Sequence, residues 1–79
     1  MVGTWTFKIW SNGEDDQRAA GIIEALREKL KVEDAGGLAW RVECYPFEDQ
    51  AAAAGALHGE LKAVDDRWFE VLGVGWAED

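Results

Sequence analysis

One cysteine, one histidine, one proline and one serine are all that this 79-residue chain holds of those four types, and each scarcity removes a class of function. Cys44 has no second cysteine to pair with, so no internal disulfide supports the fold and a reducing interior, the cytoplasm, is the natural setting. One Cys and one His cannot complete the four-ligand set of a structural zinc site. Nucleophilic catalysis needs a nucleophile, a base and an orienting group in mutual reach. Ser11 falls in a turn, Cys44 on the inward side of a strand and His58 on the outer side of a helix, so the three form no such constellation. The chain reads as non-enzymatic. No apolar run approaches the ~18–20 residues of a membrane span, and the N-terminus lacks the charged-then-apolar pattern of a secretion signal.

Positive charge is also scarce. Eight Lys and Arg stand against sixteen Asp and Glu, for a net charge of −8. A nucleic-acid binder carries the opposite balance, because phosphates must be met by cations, so direct contact with DNA or RNA is not expected. The first strand-to-helix junction, SNGEDD (residues 11–16), has one glycine and three carboxylates. Those carboxylates would repel a phosphate where a nucleotide site needs free helix N–H groups. Asp15, Asp16 and Asp49 are the groups a hard cation would use, but no spacing matches a calcium loop. No metal and no other cofactor is expected. An acidic surface of this kind keeps a protein soluble or steers it towards basic partners.

What the chain does have is apolar mass: 48% hydrophobic residues and five tryptophans in a length that makes one domain, residues 1–79. Thr4–Trp10 alternates in the strand period, with Trp5, Phe7 and Ile9 on one face. Asp15–Lys31 reads as a helix whose stripe is Ala19, Ile22, Ile23, Leu26 and Leu30. Gly36-Gly37 then closes the loop behind it. Leu38–Tyr45 alternates again, with Leu38, Trp40, Val42 and Cys44 inward, and Pro46 ends that strand. Glu48–Val64 forms a second helix, buried through Ala53, Ala54, Leu57, Leu61 and Val64. Arg67–Trp76 is the last strand.

The order is β-α-β-α-β. Two strand–helix–strand units normally join parallel strands through right-handed crossovers. An antiparallel arrangement of the ferredoxin-like kind needs a fourth strand, and no segment is left to supply one. The expected fold is a single α/β domain with a three-stranded, largely parallel or mixed sheet packed against two helices. In that topology every strand-to-helix loop shares one edge of the sheet. Glu14, Asp15, Asp16, Glu48, Asp49 and the tail residues Glu78 and Asp79 would therefore converge, with Asp65-Asp66 at the far end. Trp10 and Trp76 end their strands at the same edge, where exposed indole rings beside carboxylates suit a Lys/Arg-rich partner. The carboxylates also have a local use as helix caps.

In size, charge, solitary domain and lack of catalytic groups, the chain resembles the small acidic phage proteins that inhibit bacterial defence, anti-CRISPR proteins in particular. Those proteins share no motif, and the acidic clusters just named carry the likeness. The resemblance implies a DNA mimic in the host bacterial cytoplasm. It would bind a CRISPR effector complex of type I on the Lys/Arg surface meant for target DNA. The alternative is an antitoxin-like or housekeeping regulatory module held by an apolar interface. As an oligomer, the chain is expected to be a monomer or a homodimer.

Overall fold

A computed structural model describes residues 3–77, excepting the side chains at positions 45 and 46. The elements in order are β1 (Gly3–Ser11), α1 (Asp16–Leu26), β2 (Lys31–Asp34), β3 (Ala39–Phe47), α2 (Gln50–Val64) and β4 (Leu72–Trp76), with a 3-10 turn at Trp68–Glu70 before β4. The four strands form one sheet in the order β2-β3-β1-β4, and every neighbouring pair is antiparallel. This is the split β-α-β topology of ferredoxin-like folds. It overturns the expected three-stranded, largely parallel sheet.

The missing strand is Lys31–Asp34, a segment whose sequence pattern assigns it to the first helix and the loop behind it. α1 stops at Leu26, and Arg27 turns its guanidinium onto the returning chain. Nη1 donates to the Val32 carbonyl at 3.0 Å and Nη2 to Asp34 Oδ1 at 2.8 Å. Lys31 then faces Glu43 and Glu33 faces Arg41 across the β2–β3 ladder, so opposite charges match in register. Gly36 and Gly37, at φ 94° and 58°, make the hairpin turn that joins these strands, a left-handed geometry only glycine adopts freely. Parallel crossovers do exist here. β1 and β2 run the same way, as do β3 and β4, but another strand is inserted between the members of each pair.

β3 continues past the expected stop at Pro46. The ladder takes two steps from Gly3 to Trp5 but three from Cys44 to Phe47, so β3 holds one extra residue there. Pro46 lies within this bulge, where no ladder donor is required.

The alternation of β1 and β3 holds. Phe7, Ile9, Trp40, Val42 and Cys44 are buried under the helices with Ala19, Ile22, Ile23, Leu26, Ala53, Leu57 and Leu61. Trp5 packs at the margin and donates its indole N–H to the Phe47 carbonyl at 3.1 Å. Two expected core residues lie outside: Leu38 belongs to the hairpin turn, and Val64 is the last residue of α2. The opposite face of the sheet bears Thr6, Lys8, Arg41 and Glu43, together with Trp10, whose ring lies across Gly73 and Gly75 of β4. A Cβ at position 73 would sit inside contact distance of that ring. Gly73→Ala is therefore expected to destabilise the fold by ~1–3 kcal/mol, the range for overpacking. Most of that loss should vanish in a Trp10→Ala background, measured as a double-mutant cycle in urea.

Candidate protein-binding surface

β1 carries the chain to one end of the sheet, and that end is where the acidic residues gather. Asp15 caps α1, its carboxylate accepting the Arg18 N–H at 3.0 Å. The loop before it is held by short-range bonds. Ser11 Oγ donates to Asp16 Oδ1 at 2.6 Å, and Asn12 Oδ1 accepts the Glu14 N–H at 3.0 Å. Asn12 also ties the loop to the segment entering β4. Its side-chain amide donates to the Glu70 carbonyl at 2.9 Å and its backbone N–H to the Val71 carbonyl at 3.0 Å.

The end of α2 arrives at the same place. Arg18 clamps Asp65 with two parallel bonds, Nε to Oδ2 at 2.7 Å and Nη2 to Oδ1 at 2.8 Å, and reaches Glu70 Oε1 with Nη1 at 3.4 Å. The hydrogen bonds from the Arg18 guanidinium, aided by the Arg67 backbone N–H, hold the Asp65 carboxyl at about 2. In return the Asp65 hydrogen bonds raise the Arg18 pKa above its ordinary value. Six carboxylates thus share this end: Glu14, Asp15, Asp16, Asp65, Asp66 and Glu70. Among the described residues, Arg18 and Arg67 are the cations that pair with them. Glu14, Asp15, Asp16 and Asp66 face no described cation within ion-pair distance.

The residues expected at the acidic end divide between the two ends of the sheet. Glu14, Asp15 and Asp16 are at the acidic end. Glu48 and Asp49 are not: Phe47 pairs with Gly3 at the start of β1, whereas Leu72 pairs with Ser11 at its finish, so the start of α2 lies at the opposite end. Asp49 caps α2 by accepting the Ala52 N–H at 2.7 Å, and this separation leaves Asp15, Asp16 and Asp49 unable to share a cation. Asp65 and Asp66, expected at the far end, take the vacated places. Glu78 and Asp79 lie outside the described residues.

The two tryptophans separate as well. Trp10 is 40% exposed on the uncovered face of the sheet near the acidic end. Trp76 pairs with Phe7, three residues back along β1, and its ring lies tilted against that of Phe7 at 4.7 Å on the helix-covered face. Arg18, Asp65 and Glu70 were missed because β2 went unseen. The signal was the Gly-Gly pair between two charge-complementary runs, which reads as a hairpin once Lys31–Asp34 is allowed to be a strand.

Cys44 and His58 also stand apart. Cys44 lines a cleft of about 680 Å³ between the turn after α1, β3 and α2. Burial pushes its thiol pKa up, away from the reactive thiolate. His58 borders a different cleft, with Phe7, Ala54, Val74 and Trp76, and its ring lies 5.4 Å from that of Trp68. No family model, curated protein or solved structure matches the chain.

The Arg18–Asp65 clamp has a pH signature. An Asp near ~3.9 in the unfolded chain and at about 2 in the fold adds stability above the first value and loses it as pH falls through the second. Asp65→Asn is expected to lower the urea midpoint at pH 7. The gap to the native chain should close as pH falls from ~4 towards ~2. A gap that stays constant over that range would exclude the clamp as its source.

Proposed function

We propose that this chain is a non-enzymatic binding protein whose acidic end engages a basic surface on another protein, of the kind that otherwise holds nucleic acid. The observation that supports this reading is the convergence of two acidic segments, 14–16 and 65–70, at one end with two arginines among them. Such a cluster opposes its own assembly by charge repulsion. It also projects a field that a Lys/Arg groove senses from about a Debye length away, ~8–10 Å at moderate salt. The local use as helix caps accounts for Asp15, and Glu70 pairs with Arg18 and Arg67, which leaves Glu14 and Asp66 without such a structural duty. The likeness to anti-CRISPR proteins supplies the candidate partner, the DNA-binding surface of a type I CRISPR effector, with the acidic end standing in for target DNA.

The fold provides a matched pair of probes. Glu14-Asp15 and Glu48-Asp49 are the same dipeptide, each ending in the N-cap of its helix, at opposite ends of the molecule. Reversing either pair to Lys removes one cap and should cost similar stability, ~1 kcal/mol or more. Only the 14–15 reversal is expected to relieve inhibition of target-DNA binding in a panel of purified type I effectors, and the difference should shrink as salt rises. Equal effects of the two reversals, or no inhibition by the native chain, would overturn the reading.

A further inference from the structure

The sheet has two edges, and they are finished differently. β2 is short and charged (Lys31, Glu33, Asp34), and its outward Val32 carbonyl is taken by Arg27. That is a protected edge. β4 is Leu-Gly-Val-Gly-Trp, without charge or proline. Its direction of bonding follows from its neighbours. Ala77 donates to the Thr6 carbonyl at 3.3 Å and the Val71 carbonyl accepts from Asn12 at 3.0 Å, so residues 71, 73, 75 and 77 turn their polar groups towards β1. Leu72, Val74 and Trp76 turn theirs outward. This row is centred on Val74, and a two-fold axis there returns the same row to itself: Val74 meets Val74 of a second copy, and Leu72 meets Trp76. Every outward N–H and C=O then finds a partner.

Two further features fit that occupant. α2 flanks β4 through Ala54 and His58, which line the cleft beside Val74 and Trp76. Ala54 is small and His58 is exposed, so this side of α2 borders the edge that a second copy would meet. Apolar rings are also left in water beside this edge, Trp76 at 49% and Phe69 at 62% exposure. The net charge of −8 on each copy opposes any pairing, and the antiparallel match keeps that repulsion small. The acidic end lies at the start of β4, so an antiparallel match sends the two acidic ends to opposite extremes, beyond a Debye length of each other.

We propose that β4 pairs antiparallel with β4 of a second copy about Val74, joining two four-stranded sheets into one. The pairing is independent of what the acidic end binds. It is tested by sedimentation velocity across a dilution series, with amide exchange read residue by residue. The expected result is a monomer–dimer equilibrium in which the Leu72, Val74 and Trp76 amides gain protection with concentration, while Gly73 and Gly75 stay protected throughout. Val74→Pro removes an outward donor and keeps both bonds to β1, so it should weaken the dimer at least about tenfold. His58→Glu sets like charges across the axis at an exposed helix position and should weaken it comparably while leaving circular dichroism unchanged. A monomer at every concentration, with the three amides unprotected, would overturn the proposal. So would a dimer whose affinity His58→Glu does not change, or a strand of another protein seated on β4 in preference to a second copy.

Discussion

The pairing of β1 with β3 is the contact on which the other arrangements in this molecule depend. The two strands match from Gly3↔Phe47 to Trp10↔Ala39, along almost the whole of both, and each presents its apolar face to the same helices. Because β3 runs against β1, the loops that leave the two strands emerge at opposite ends. Each helix returns over the sheet to the end where the other one starts. The start of α1 therefore meets the finish of α2, and segments some fifty positions apart become one surface. Had β3 paired in parallel, the start of α2 would stand beside the start of α1, and a different set of carboxylates would share an end.

Electrostatically this is a poor place for so many acids, and the structure shows how the difficulty is met. Asp15 and Asp16 sit at the positive end of the α1 dipole, where negative charge is favourable. Asp65 sits at the negative end of α2, where it is not. Arg18 reverses that penalty, since its guanidinium is held by Asp65 and Glu70 together and its backbone N–H by Asp15. One arginine thus links the first turn of α1, the end of α2 and the approach to β4. The remaining carboxylates are left to water, where their repulsion is weakest.

The two helices and the faces of β1 and β3 were legible because they are written in short-range periodicity, whereas the sheet they build was not. The alternation in TWTFKIW and LAWRVE decided which residues of β1 and β3 face the helices. The spacing of Ala53, Leu57 and Leu61 decided the buried side of α2, and both helix starts were marked by their aspartate caps. Lys31–Asp34 was not legible in the same way. One valine among three charged residues has no period of its own, and Leu30, four positions after Leu26, extends the helical stripe up to its first residue. What makes it a strand lies elsewhere in the chain: β3 supplies the ladder and the matching charges, and Arg27 closes the outer edge.

The same division explains the surface. Sequence by itself determined that the molecule is acidic, that its carboxylates collect at the junctions of its elements, and that Trp10 and Trp76 stand at or near strand ends. Caps, turns and amphipathic faces are properties of a few neighbouring residues. Which junctions meet was decided by the tertiary structure alone. It brought Asp65, Asp66 and Glu70 to Asp15 and Asp16 and sent Glu48 and Asp49 away, and it put Trp10 and Trp76 on opposite faces of the sheet. Strand order and direction are set by the burial of the whole sheet against both helices, a long-range balance to which no single segment holds the key.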